Sequence, residues 1–270
     1  MNTSSRTLSP RRRGTGLAIA ATVCAVTLLT GCDGDSGGTS APVSPTGSAS
    51  AAPAAPAPAT TSAGPAVPAD KAFDPDKALA AASKKPYAAN LTITTEADDL
   101  SGALTTSGRV NLNGPFTGRM EMKSAEPGPT METVTTADAT YVRKRGAAGA
   151  EWTKRPRTTG GNLASYEGYA KLLLGTGPSA RKGMENQGGV ATYHLSGYLT
   201  LEQIASVDPR TYTSMKAKGV SGFACDQWID SQGRTIRFEQ RFVMHGVQAA
   251  NKATFGAFGP AEEFTAPTGG

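Results

Sequence analysis

The chain has 270 residues, a formal net charge of +5, 38% hydrophobic residues and 6% aromatic residues. Residues 1–31 hold four arginines and no acid, so the charge falls to +1 without them, and the folded part lacks the basic balance that a nucleic-acid partner requires. Of three cysteines, Cys24 and Cys32 lie in or at the end of that leader, which leaves Cys225 alone and excludes a disulfide-stapled domain.

Arg6, Arg11, Arg12 and Arg13 precede an apolar run from Leu17 to Leu29 that is too short to span a bilayer, the layout of a secretory signal. Leu29-Thr30-Gly31-Cys32 resembles the bacterial lipobox, in which the thiol is alkylated with diacylglycerol and cleavage leaves the cysteine as the new N-terminus. Each buried acyl methylene contributes about 0.8 kcal/mol, and two chains suffice for lasting attachment where one does not. The expectation is an exported lipoprotein, held by acylated Cys32 to the extracytoplasmic face of the cell membrane. Arg12-Arg13 points toward twin-arginine export, whereas Gly14-Thr15-Gly16 stands where that signal carries a large apolar residue, so the export route is open.

Residues 32–69 are Gly, Ser, Thr, Ala and Pro with almost nothing to bury, and read as a disordered tether. At about 3.1 Å per residue it could hold a domain on the order of 100 Å from its anchor. Residues 70–270 are long enough to bury a core and form the single folded domain.

That domain opens with Asp74-Pro75-Asp76, an N-cap followed by proline in the first turn, and a helix that ends near Lys84-Lys85-Pro86. The period then changes to two. Leu91 and Ile93, Val110 and Leu112, and Met120 and Met122 each alternate with polar neighbours, as in antiparallel strands with one apolar face. Asp98-Asp99-Leu100-Ser101-Gly102 and Asn113-Gly114-Pro115 supply the turns. Less regular strands are expected over residues 131–136 and 140–144, with Trp152 on a short strand or its edge. Residues 162–174 carry Leu163, Tyr166, Ala170, Leu173 and Leu174 at helical spacing, and residues 180–186 read as a shorter helix. Ala191, Tyr193 and Leu195 alternate in a further strand; Thr200 with Gln203 forms a capping box, and Asp208-Pro209 starts another helix. The last third is a meander over residues 223–230, 234–243 and 250–258, turning at Ser231-Gln232-Gly233. The fold class expected is α+β, a curved antiparallel sheet with helices packed over one face.

Catalytic chemistry finds little support. His194 and His245 fall on the polar phase of their strands and read as surface residues. No His/Cys cluster has zinc-ligand spacing, and Ser179 with Lys182 lacks the motifs that accompany a Ser-Xaa-Xaa-Lys nucleophile. Gly160-Gly161 and Gly188-Gly189 are loop glycines, Glu262-Glu263 is a solvated pair, and Cys225 reads as a small buried hydrophobe. No enzyme, cofactor or metal is expected. Arg143-Lys144-Arg145 and Lys154-Arg155-Pro156-Arg157 read as solvated loop charges, with contact to anionic headgroups as the other use. A single sheet with modest helices leaves two options for its apolar face. It is a filled core, or it walls a cavity to which Leu91, Ile93, Val110, Leu112, Met120, Met122, Tyr193, Leu195, Ile236, Phe238 and Phe242 are the candidate lining.

Several pieces carry a resemblance over residues 74–267: the opening helix and strand, Ala137-Asp138-Ala139-Thr140-Tyr141-Val142 before Trp152, and Tyr193-His194-Leu195-Ser196-Gly197 before a helix. To these are added Gln227-Trp228-Ile229-Asp230-Ser231-Gln232-Gly233-Arg234 and Phe255-Gly256-Ala257-Phe258-Gly259 before Ala266-Pro267. Together they resemble the LppX/LprG-type lipoproteins of actinobacteria, with a LolA-like fold. The resemblance implies an unclosed half-barrel with helices across its mouth and a cavity for acyl chains of an envelope lipid or glycolipid. Gln227 departs from that pattern, standing where the family offers an inward apolar residue on the face shared with Cys225; buried there, its amide needs a partner. Two readings follow. One is a lipid-anchored, non-catalytic carrier of acyl chains; the other is a surface interaction or sensor module with a filled core that binds an envelope protein or cell-wall partner.

Overall fold

The computed structural model describes residues 71–98, 102–146, 151–157 and 165–268. The leader with Cys24, Cys32, the tether, residues 99–101 of the first turn, and residues 158–164 with Gly160, Gly161, Asn162 and Leu163 lie outside the described residues.

Helix α1 (Pro75–Ala81) starts where its cap dictates, with the Lys77 amide donating to Asp74 Oδ1 at 2.9 Å and proline at the first turn. It ends short of Lys84. Only Pro75, Ala78 and Leu79 are buried on it, and Pro86 biases the preceding residue toward extended backbone.

Six strands follow, β1 (Tyr87–Ala97), β2 (Leu104–Leu112), β3 (Thr117–Ser124), β4 (Thr130–Thr135), β5 (Ala139–Arg145) and β6 (Thr153–Pro156). Trp152 stands immediately before the short edge strand β6. Helix α2 (Ser165–Gly175) leads to a 3-10 turn (Pro178–Ala180), β7 (Arg181–Gln187) and β8 (Val190–Thr200). Helices α3 (Leu201–Ala205) and α4 (Pro209–Ala217) then precede β9 (Gly222–Asp230), β10 (Thr235–Met244) and β11 (Val247–Pro260). Thr200 and Gln203 form the capping box of α3, and Asp208 accepts from the Thr211 amide to cap α4.

The eleven strands among the described residues join one antiparallel sheet in the order β6-β5-β4-β3-β2-β1-β11-β10-β9-β8-β7. It is unclosed, and its curved form is the half-barrel of an α+β fold. Two meanders meet at its centre where β1 pairs with β11, Leu91 opposite Phe255. One face carries the core: Leu91, Val110, Met120, Phe238, Ile229 and Leu195 join Tyr169, Ala170 and Leu173 of α2 in one buried cluster.

Three expectations fail. Arg143-Lys144-Arg145 and Lys154-Arg155-Pro156 are not loop charges: they stand on strands β5 and β6, and Arg143 and Arg145 pair with Glu132 and Glu121 across the sheet. Residues 180–186 are no helix: apart from Ala180 they form strand β7, paired with β8 from Arg181 opposite Leu195 to Gln187 opposite Val190. Gly188 (φ 59°) and Gly189 (φ 90°) make a two-residue turn with both residues at positive φ, as a tight hairpin requires, and Asn186 Oδ1 accepts the Gly189 amide at 2.7 Å. The hairpin decides the structure, overriding a segment with little pattern of its own.

His194 is no surface residue. It is 5% exposed, stacked on Trp228 at 4.3 Å between ring centroids, with Nδ1 2.8 Å from Glu185 Oε1 and Nε2 2.9 Å from Asp226 Oδ1. Trp228, itself 0% exposed, donates from Nε1 to Glu185 Oε2 at 2.7 Å, and Arg237 covers its ring at 4.6 Å. This convex side of β7–β10 is therefore a second buried layer built from polar side chains, so the polar phase of the strand does not mean the wet one. His245 is exposed, in the β10–β11 turn.

Candidate functional site

A cavity of about 340 Å³ opens at one end of the core face, where α1, α2 and the β9–β10 turn converge. Its apolar wall is Leu112 at the end of β2, Tyr166 on α2, Phe255 on β11, and Ala81 and Ala82 at the end of α1. Tyr166 is fixed edge-on to Phe238 and Phe255, each at 5.0 Å between ring centroids.

Polar groups form the rim. Asp230 ties the β9–β10 turn by accepting the Gln232 amide at 3.0 Å and the Arg234 amide at 2.9 Å on one oxygen, and Arg234 Nε at 2.8 Å on the other. Arg234 also lies 4.1 Å over the Phe258 ring. At Gly233 (φ 74°) a Cβ would stand 2.7 Å from the Ala78 carbonyl oxygen and 2.9 Å from the Ala82 methyl, so glycine is what lets α1 rest on this turn. Asn113, at φ 58°, donates to the Ser83 carbonyl at 2.6 Å and holds the far side of the helix end. Lys84 reaches across to Glu167 at 2.7 Å, and Arg181 pairs with Asp76.

Burial pushes the Tyr87 hydroxyl up to about 12, with Asp230 and Glu167 adding to the effect and Arg234 opposing it. Tyr87 is therefore a neutral hydrogen-bonding group in the wall. Burial also raises Glu167, but hydrogen bonds from Lys171 and Lys84 outweigh it and hold the carboxylate below its ordinary range. The wall contains neither histidine nor cysteine. Burial pushes the Cys225 thiol well up, which keeps it protonated inside the core. Among the described residues no group of three or more His, Cys, Asp or Glu could hold a metal ion.

Of the eleven candidate lining residues, Leu112 lines this cavity. Leu91, Ile93, Val110, Met120, Leu195, Phe238 and Phe242 are packed in the core cluster, with Tyr193 half-buried against it. Met122 is half-buried on β3, and Ile236 is buried outside that cluster. Gln227, 0% exposed, donates from Nε2 to the Tyr166 carbonyl at 2.7 Å and to Thr235 Oγ1 at 2.9 Å, both residues of the cavity wall. Its Oε1 has no partner among the described residues. Tyr87, Tyr166, Phe255 and the turn from Ser231 to Thr235 were not among the eleven. The sequence signal for them was the Ser231-Gln232-Gly233-Arg234 turn, whose glycine marks a close approach.

The fold and this cavity together define a half-barrel with an amphipathic recess roofed by helices. No protein-family model and no curated protein matches the chain. Among solved structures it is similar to LprF from Mycobacterium bovis, at 12% identity and a TM-score of 0.41, over 73% of this chain and 100% of that one. It is similar to the Mycobacterium tuberculosis lipoprotein LppX at 14% identity and a TM-score of 0.41, over 71% of this chain and 96% of the other. A LolA superfamily protein from Nitrosomonas europaea aligns over 69% of this chain and 91% of its own, with 13% identity and a TM-score of 0.23.

Proposed function

We propose that the protein is an exported lipoprotein, anchored through acylated Cys32, that binds an acyl portion of an envelope lipid or glycolipid without catalysis. The observation that carries this reading is the recess of about 340 Å³ whose floor is Leu112, Tyr166 and Phe255 and whose rim is polar. An amphiphile fits such a wall, with methylenes against the aromatic floor and hydroxyl or ester groups at Tyr87, Asn113 and Arg234. Each methylene buried contributes about 0.8 kcal/mol. The volume lies near the lower end of the range of about 300–1,000 Å³ for small-molecule sites, so the ligand is one acyl segment rather than a bundle of long chains. Deeper entry requires α1 to lift. The segment is held by the Lys84–Glu167 and Asp76–Arg181 pairs, exposed contacts worth about 0–1 kcal/mol each, by the Asn113–Ser83 hydrogen bond, and by Leu79 seated in the core cluster.

Native mass spectrometry with solvent extraction of residues 70–270 tests the reading. A stoichiometric lipid is expected, and Ala82→Phe, which fills the recess from its roof, should lower retention about tenfold while the fold persists. A compact domain that carries no lipid and refuses added lipid would overturn the carrier reading in favour of a filled-core interaction module.

A further inference from the structure

The convex face of β2–β5 holds a second concavity, independent of the acyl recess. It is an open groove of about 470 Å³ walled by Arg109, Arg119, Glu121, Glu132, Arg143 and Trp152. Strand register builds it: Arg109 stands opposite Arg119, Glu121 opposite Glu132, and Glu132 opposite Arg143. These residues alternate with Val110, Met120 and Val142, which are buried, so the groove opens away from the core.

Its charges do not cancel. Glu132 is taken by Arg143, with Nε to Oε2 at 2.7 Å, and by Arg145 at 3.0 Å; Glu121 is taken by Arg145 and by Lys123 at 2.7 Å. Arg109 is held by Glu262 at 2.7 Å, Asn90 and the Ala257 carbonyl. The exposed Arg119 side chain has no hydrogen bond or ion pair among the described residues, although it faces Arg109 directly. Like charges directly opposite across an antiparallel pair are destabilising, and an anion between them removes the cost. Trp152 is half-buried in the same wall with the Arg143 guanidinium 4.5 Å from its ring, so the groove that holds the unpaired cation on β3 also holds a fixed aromatic surface at its β6 side.

We propose that this groove binds an anionic saccharide: its carboxylate or phosphate sits on Arg119 beside Arg109, and its sugar ring lies along Trp152. A concave site with a half-buried indole suits an inserted chain of rings; a flat bilayer would meet a protruding basic surface instead. The groove and the acyl recess lie on opposite sides of the sheet, so both can be occupied at once.

The test uses the full lipidated chain in detergent micelles, with tetragalacturonate and a 6-phosphorylated mannopentaose as acidic probes and cellotetraose as the neutral one. Of the two tryptophans, Trp228 is fully buried, so a ligand-dependent change in indole fluorescence reports Trp152. At least one acidic probe should bind tenfold or more tightly than cellotetraose, and its affinity should fall several-fold between 50 and 300 mM salt. Arg119→Ala should weaken it about tenfold, Arg119→Lys less, and Trp152→Ala, which removes the fluorescent reporter and is therefore read by titration calorimetry, should abolish the selectivity over free phosphate. The proposal is overturned by no binding of either acidic probe, by equal binding to Arg119→Ala, or by inorganic phosphate binding as well as the glycans. Binding to phosphatidylglycerol vesicles without glycan binding also overturns it and makes the face a membrane contact.

Discussion

The two ends of the convex face use the same ingredients to opposite effect. Over β7–β10, Trp228 is stacked between His194 and Arg237, while Glu185 and Asp226 bracket the imidazole and Arg241 closes on Asp226. Over β2–β5, Trp152 has Arg143 against it and a groove in front, and Arg119 is unpaired among the described residues. The difference lies in the carboxylates. At the closed end Glu185 comes from edge strand β7 and ties Trp228 and His194 from outside, whereas the open end adjoins the short edge strand β6, of only four residues. Tryptophan, arginine and glutamate on a strand face thus make a structural layer or a candidate site according to whether the edge reaches over them.

Replacing the two tryptophans probes this contrast most strongly. Trp228→Ala removes a fully buried ring and the donor to Glu185, and should cost about 3–5 kcal/mol in urea unfolding. Trp152→Ala should cost about 1 kcal/mol or less; similar losses at both positions would erase the distinction. Next comes Asp226. Burial pushes its carboxyl up, yet hydrogen bonds from His194, Ser196 and Arg241 and the charge of Arg241 prevail and hold it down to about 2, below the ordinary value of 3.8. A depressed carboxylate stabilises the fold above its unfolded value and loses that contribution as pH falls from about 4 to about 2. Asp226→Asn should cost on the order of 3 kcal/mol near neutral pH, and its deficit relative to the parent should shrink over that acid range. A constant deficit from pH 6 to pH 2 would show that the closed cluster does not depend on this charge. The smallest effect belongs to the open end: Arg119→Glu, by relieving the opposition to Arg109, should raise stability by about 0.2–1 kcal/mol, read as a higher urea midpoint.

What could be read from the sequence was what local chemistry determines. Asp74-Pro75, Thr200 with Gln203, and Asp208-Pro209 each fix a helix start within four residues, and the alternation at Leu91 and Ile93 reports a one-sided strand directly. Strand β7 was illegible because Arg181 to Gln187 has no apolar period; its pairing with β8 makes it a strand. His194 misled for a related reason, since polarity predicts solvent only when nothing covers the face. The recess was harder still. Its wall is assembled from α1, α2, the ends of β1 and β2, the β9–β10 turn and β11, so the convergence of distant segments selects Leu112 for the wall while most other candidates fill the core.

The central pairing of the first strand with the last sets the order in which the molecule can be completed. Buried Thr95 donates to Asn251 at 2.8 Å, two residues 156 positions apart. A chain delivered N-terminus first therefore waits with β1 as a raw edge, its Leu91 and Ile93 rows uncovered, until residues 247–260 have emerged. Assembly is governed by the arrival of residues 247–260, and a chain interrupted before them holds an unfinished sheet with a strand edge open to any neighbour.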